Sequence, residues 1–500
     1  MIQFFDSGMS PIIVLGISAF LSAGFSFWLS NRVLAAITVA AMLLSFVLLT
    51  LILFNIIPLN QTYYAALQEN TFAVIFQYIF LAVGFIAALS AVKYISEDRN
   101  QGEFYSLLTL SVVGMMLVAA AIDLLTIFVG LALTALAGAS ITAFRKKDRT
   151  ASEAAMKFYI ISALSAGLAL YGISLLYGLT HTLNLQGINA SLSGMNTSSP
   201  EFPTALLAIA LIVAGFGFEI ALVPFHMWAP DVYEGSPTPV SGLLTSGSKK
   251  VGFAALFKVF IIALFVFKAD WGPLFGVLAI LTMTVGNVVA LRQENVKRML
   301  AYSSIGQAGY MLISFPVFSA SISSGNFTQL SYLSISYGIF QILTHSIATV
   351  GAFAVVAAMS TSVLGLEYED FKGLFKKSRT LAISMTLFLF SLLGIPLLAG
   401  FDSKLLIFSA AVGGSLVSGY GWLIWLAIFG IINSAVSLIY YVRLVRNMFM
   451  DTEPHFNSTV PRSAMAGIVI AAAATILIGV YPGPFISICN QAAHALLAGA

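Results

Sequence analysis

Seven ionisable side chains, Lys157, Glu219, Lys249, Lys250, Lys258, His345 and Lys404, fall inside long apolar stretches of this chain. A charge held in the hydrocarbon of a bilayer costs about 3 kcal/mol at the least, so such groups normally pair, face a wet cavity or pass protons. Anchoring alone would put lysines at the ends of an apolar stretch and not within it. Spacing sorts the seven. Glu219 stands five residues before Pro224, and Lys249 lies about eleven residues, or ~16 Å of helix, into the next apolar stretch; both depths are near mid-membrane. Lys157, Lys249 and Lys404 read as proton carriers, Glu219 as their acidic counterpart, and His345 as a relay or a satisfied core histidine. Lys258 reads equally as a relay or as a chain that snorkels to the interface, and Lys250 as the cap of a polar pocket. Asp123 and Asp402 lie near helix ends, where a cap or a loop contact accounts for them. His226 and Trp228 suit aromatic anchoring at an interface.

The elements that position these groups follow from composition. Hydrophobic residues make up 59% of the 500 and charged residues 9%, which excludes an ordinary soluble domain. The +3 net charge reflects topology and implies no nucleic-acid partner. The reading is an all-α polytopic membrane protein of about fourteen transmembrane helices. No cleavable leader is evident, since the first apolar run, 11–29, has spanning length and no basic lead-in. A single cysteine, Cys489, leaves this chain without an internal disulfide or a cysteine-held cluster, and five scattered histidines give no metal motif.

Loop charge supports an even count. With the turn at Arg32 placed inside, the basic runs around Lys93, Arg145, Arg292, Lys372 and Arg443 are also inside, and Lys268 alone remains opposite. That bias puts both termini on the outer side of the cell membrane. The polar loop 181–203 is outside, with no assignable fold.

Two spans are interrupted. Pro224 follows GFGFEIALV in span seven, 203–228, and SLLGIPLLAGFDSK sets Gly394, Pro396 and Gly400 ahead of Lys404 in span twelve, 381–412. Proline removes a backbone donor, and freed carbonyls at membrane depth are tolerated where they are buried in protein or line water. Broken helices at matching positions of two repeats point to an ion pathway. The division expected is an N-terminal three-helix segment (1–100), two inverted five-helix repeats (104–267 and 272–446) with discontinuous helices seven and twelve, and a C-terminal helix (463–500).

The run VPFHMWAPDVYEGSPTPVSGLLTSGSK, with SEAAMKFYIISALSAGLALYG before it and VKRMLAYSSIGQAGYML after it, resembles the antiporter-like subunit N of respiratory complex I. The resemblance covers roughly 100–450. It implies fourteen helices with two inverted repeats, and proton translocation coupled to quinone reduction elsewhere in an assembly. By resemblance Lys157, Lys249 and Lys404 match the family lysines of helices six, eight and twelve, and His345 resembles the helix-eleven histidine of the larger sister subunits. Two positions depart: Ala132 stands where the family usually has a glutamate in helix five, and Glu219 where it usually has a lysine in helix seven. The expectation is that Glu219 takes over the pairing with Lys157. These departures lean toward the archaeal relatives fed by reduced deazaflavin.

The resemblance further implies no cofactor on this chain, with flavin, iron–sulfur clusters and a quinone or phenazine on partner subunits, and other membrane subunits, including sister antiporter-like ones, beside it in the bilayer. Two rivals remain: a subunit of an Mrp-type cation/proton antiporter, and a non-pumping structural subunit of the same complex.

Overall fold

A computed structural model describes residues 8–58, 61–63, 66–322, 327–361, 365–450 and 460–499. The first helices are α1 (Ser10–Gly24), α2 (Asn31–Leu53), α3 (Thr71–Tyr94), α4 (Gln101–Ala120), α5 (Leu124–Thr142), α6 (Arg149–Thr180), α7 (Leu185–Leu192), α8 (Phe202–Glu219) and α9 (Trp228–Gly235). A continuous helical run follows: α10 (Thr238–Leu243), a π segment (Leu244–Ser248), α11 (Lys249–Lys258) and a second π segment (Val259–Ala263). Then come α12 (Lys268–Ala290), α13 (Val296–Leu312), α14 (Ser314–Ser321), α15 (Gln329–Ser360), α16 (Leu374–Lys377), α17 (Arg379–Leu393), α18 (Ala399–Ser415), α19 (Ile424–Met450), α20 (Arg462–Val480) and α21 (Gly483–Leu497).

This is a helical membrane protein. Among the described residues, 10 helices are long and apolar enough to cross a bilayer, and α1 and α17 are shorter apolar helices. The all-α reading is corrected in one place. Gln61–Tyr63 and Leu67–Glu69 pair antiparallel as a small hairpin, because Leu67 and Glu69 turn inward while Gln68 between them does not, the alternation of a strand. The polar loop after α6 contains the amphipathic α7, whose Leu185, Ile188 and Leu192 are buried.

Side-chain caps fix the helix starts. Asp123 accepts from the Thr126 N–H at 2.8 Å and from its hydroxyl at 2.6 Å, as the sequence suggests, and Asn70, Asp148, Asn184 and Asn295 cap α3, α6, α7 and α13. Asp402 caps nothing. It sits in the first turn of α18, where an acid suits the helix dipole. The bridges Leu67↔Ala121 and Asp123↔Asn184 gather the hairpin, the end of α4 and α7 on one face, the hairpin face. Asn295↔Glu367 lies among the basic loops of the other. Met1 and Ala500 fall outside the described residues.

Among the described helices long enough to cross a bilayer, α15 is the most enclosed, with most of its apolar window buried, whereas α6 presents most of its own outward. Lipid tails give no hydrophobic drive for helices to associate, so small residues set the close approaches. A side chain at Gly400 would collide with the Ser391 carbonyl, and that glycine lets α18 fold back on the end of α17.

Candidate functional site

Both interruptions are real breaks, and side chains take up the backbone they free. Helix α8 ends at Glu219, earlier than the expected stop at Pro224. Past that end, the Phe218 carbonyl accepts from Trp228 Nε1 at 3.1 Å, and the Val223 N–H donates to Thr282 Oγ1 at 3.2 Å. Trp228 is buried and stacks on Phe158 at 4.9 Å, so the expected interfacial anchor is corrected. The ring is held inside by that stack and by its bond to the Phe218 carbonyl, which also accepts from the Ala221 N–H at 2.9 Å. Its neighbour His226 is buried too.

At the second break, continuing α17 would ask the Leu392 carbonyl to accept from Pro396, which has no N–H. Gln307 Nε2 donates to that carbonyl at 2.9 Å, and Lys404 Nζ donates to the Leu393 carbonyl at 2.9 Å. Each break also holds a non-glycine residue with positive φ, Ala221 at 53° and Leu397 at 72°. Conformations of that kind survive only where the surroundings over-determine them.

The ionisable groups line up between the breaks. Glu219, 8% exposed, accepts from Ser248 Oγ at 3.1 Å, and Ser248 is the residue before Lys249. Lys249 Nζ donates to Ser304 Oγ at 3.1 Å, and that hydroxyl donates to the Ala301 carbonyl. Lys250 is fully enclosed and its Nζ has no hydrogen-bond partner among the described residues, so it caps no polar pocket. His345 bonds to Thr349 Oγ1, 3.2 Å from the nearer ring nitrogen, and feels the charges of Lys250, Lys249 and Lys404. Lys404 donates also to Ser434 Oγ at 3.1 Å. His345 and Lys404 line one polar void of about 10 Å³ together with Gln307, Gln341 and Thr344, about the size that admits a single water.

Lys157 stands apart, and the expected pair with Glu219 does not form. Its ammonium donates to Asp231 at 2.9 Å and to Glu153, one turn earlier, at 2.8 Å. Arg298 binds the other Asp231 oxygen at 2.8 Å and Glu234 at 2.7 Å. The side chain of Lys157 is 41% exposed, on a helix that faces largely outward, so depth in the sequence overstated its burial. Asp231 lies beyond the broken span. Partial burial pushes its carboxyl up, but the Lys157 and Arg298 cations outweigh that and hold it below the usual carboxylate range.

Glu219 does meet the other departure. Ala132 and Glu219 line one cavity of about 40 Å³ with Phe128, Ser162, Ser165 and Gly215. The acid absent from α5 is thus present on α8, across the same space. Sequence reasoning missed Asp231, Gln307, Gln341, Ser248 and Ser304. The signals available were a glutamine at mid-span in SSIGQAGY and an acid just after the broken span in WAPDVYEG.

Known proteins share this sequence and fold. The family profile described as "NADH:quinone oxidoreductase/Mrp antiporter, TM" matches residues 121–437. F(420)H(2) dehydrogenase subunit N of Methanosarcina mazei is 41% identical over 84% of this chain and 83% of its own length. NADH-quinone oxidoreductase subunit N of Trichlorobacter lovleyi is 39% identical over 85% and 83%. Among solved structures, a chain of the membrane-bound sulfane sulfur reductase, an archaeal respiratory membrane complex, superposes with a TM-score of 0.84 at 27% identity, covering 98% of this chain and 97% of that one. A chain of respiratory complex I from Thermus thermophilus gives 0.77 at 29% identity, covering 95% and 98%. The Mrp complex from Dietzia sp. shares the fold, with a TM-score of 0.84 at 17% identity over 99% and 98%. With breaks, buried lysines and sequence in agreement, the chain belongs to the NADH:quinone oxidoreductase/Mrp antiporter membrane-subunit family.

Proposed function

We propose that this chain is the proton-translocating, antiporter-like membrane subunit of a complex I-like oxidoreductase. Electron transfer takes place on partner subunits, which hold the flavin, the clusters and the quinone or phenazine, and sister antiporter-like subunits flank this one. The carrying observation is the buried line Glu219, Lys249, His345 and Lys404, each hydrogen-bonded to a polar group and running between two broken helices. A structural subunit has no use for so many enclosed charges, given what each costs in a bilayer.

In this reading the helices make fourteen spans: α8 with the broken segment up to Trp228 forms span seven, the run from α10 to the second π segment span eight, α13 with α14 span ten, and α17 with α18 span twelve. Spans four to eight and nine to thirteen form inverted repeats. The paired positive-φ breaks at Ala221 and Leu397 support the correspondence. The basic face is cytoplasmic. On it, a cavity of about 300 Å³ lined by Arg145, Asp148, Glu234 and Lys297 offers the proton an entry.

From there Lys157, held charged by Asp231 and Glu153, biases the field at the entry. Lys249 takes up and gives up the proton at the centre. His345 and a water in the void beside it pass it on. Lys404, tethered to the carbonyl freed by the break, releases it toward the other side. Movement of either break would change which groups face each other, the kind of two-state element that couples distant sites.

The assembled complex, purified through a tag on this chain, tests the reading. Copurification of quinone-reducing subunits, with electron-driven acidification that drops in Lys249→Ala, is expected. Sodium-dependent exchange without such partners would favour the Mrp-type rival. Unchanged acidification per electron in Lys249→Ala would favour a structural role.

A further inference from the structure

The hairpin face carries a cavity of about 370 Å³, larger than either void on the central line, lined by Asn70, Ala121, Asn184, Gln186, Ile262 and Lys258 among others. Lys258 has neither reached lipid nor snorkelled to a surface. It is 3% exposed, donates to the Ala121 carbonyl at 2.6 Å and lies 5.6 Å from the centre of the Phe72 ring. Glu69, between the cavity-lining Gln68 and Asn70, turns inward and is fully buried. One of its oxygens accepts from Gln77 Nε2 at 2.8 Å, and the other has no hydrogen-bond partner among the described residues. Ala121, whose carbonyl Lys258 holds, is bridged to Leu67, two residues before Glu69 on the same strand. A buried acid with an open oxygen near a buried amine that lines a cavity roomy enough for water is costly unless the pair exchanges protons or water.

Lys258 is also tied to the centre. Lys249 and Lys258 are the first and last residues of α11 and each abuts a π segment, a local geometry found often at functional sites. Nine residues of helix separate them, ~13 Å at 1.5 Å per residue.

We propose that Lys258 and Glu69 form a second proton terminal, opening through this cavity to the hairpin face and serving the repeat that contains Lys249. The inference rests on the pump reading above. A proton reaching Lys258 makes an ammonium that faces the Glu69 carboxylate; its transfer to cavity water leaves a neutral amine, ready for the next. Lys404 remains the terminal at the opposite end of the same connected line.

Two measurements on the assembled complex test this. In a Cys489→Ala background, Lys258→Cys is exposed to a membrane-impermeant maleimide in sealed vesicles of each orientation. Labelling from the hairpin face and not from the basic face is expected, and labelling from neither face or from the basic face overturns the proposal. Separately, Lys258→Met is expected to lower the protons moved per electron as much as Lys249→Ala does. Ala498→Trp, which fills the cavity mouth and removes no charge, should lower the yield in the same direction. An unchanged yield in both, with the complex assembled at normal levels, overturns the proposal even if the site is wet. A Lys249→Ala variant that pumps normally would sink the pump reading and this inference with it, whereas normal Lys258→Met pumping beside impaired Lys249→Ala sinks only the inference.

Discussion

The sharpest test of how Glu219 works is a charge swap across the cavity it shares with Ala132. Glu219→Lys replaces the one acid among the described lining residues and places a cation in a cavity of about 40 Å³. An unpaired buried charge of that kind costs about 3–5 kcal/mol. It also removes the acceptor of the Ser248 hydroxyl, which is held at 3.1 Å and worth about 1 kcal/mol. Adding Ala132→Glu supplies the missing partner. At a separation of ~4 Å and an effective dielectric of ~20, the attraction is about 4 kcal/mol. Ordering the new side chain takes back ~1–2 kcal/mol, which leaves a coupling of about 2–3 kcal/mol. The double-mutant cycle is read as the melting temperature of the assembled complex and as protons moved per electron. Glu219→Lys alone should melt several degrees low and pump poorly, Ala132→Glu alone should be harmed by like-charge repulsion with Glu219, and the double variant should recover most of both losses. A double variant no better than the sum of its singles would show that the two positions do not share one electrostatic site.

Other expectations follow from the same contacts. Gln307→Leu leaves the Leu392 carbonyl and Gln341 without their partner and should destabilise the complex by ~1–3 kcal/mol per orphaned group, seen as a lowered melting temperature with the fold retained. Trp228→Phe keeps the stack on Phe158 and loses one of the two bonds to the Phe218 carbonyl, which retains the Ala221 N–H, so a loss of ~1 kcal/mol is expected, against ~0 if the ring is only a space filler. Asp231→Asn removes the acid shared by Lys157 and Arg298. Because Asp231 is about a third exposed, the stability change should be only ~1 kcal/mol, with the larger effect on proton yield. The sign with pH is fixed by the lowered Asp231 carboxyl. The stabilisation is fully present above the ordinary carboxylate value, ~3.9, and is lost as pH falls through the lower folded value. The difference between Asp231→Asn and the parent, followed by melting temperature, should therefore stay constant from about pH 6 to pH 8.

Much of this site is legible in the sequence because a bilayer prices charge so steeply that a lysine in an apolar run announces itself. Lys249, Lys404, Glu219 and His345 were found that way, and Pro224 and Pro396 announced the breaks. What the linear pattern does not carry is azimuth. Lys157 is as deep by residue count as a buried carrier, but it lies on the outward side of α6 and finds Asp231 from beyond a broken span. Neutral partners escape for a related reason: Ser248 and Ser304 cost little in an apolar run, so nothing in composition flags them, and the mid-span Gln307 carries no charge to mark it, although all three satisfy the carbonyl and the charges on which the line depends. Trp228 read as an interface residue because tryptophan often is one; only the geometry of the break shows that its indole N–H adds a second bond to the Phe218 carbonyl beside that of the Ala221 N–H. Glu69 was overlooked because it sits in a loop by hydropathy, and it is the hairpin that turns it inward.

The most direct measurement of whether the buried groups form one route is the proton yield per electron of three forms of the assembled complex in sealed vesicles: Lys249→Ala, Lys404→Ala and the two combined. A single connected path loses its throughput at either step, so the combined variant should pump no worse than the weaker of the two singles. Losses that simply add, or singles that pump like the parent, would mean that Lys249 and Lys404 do not lie on a common path.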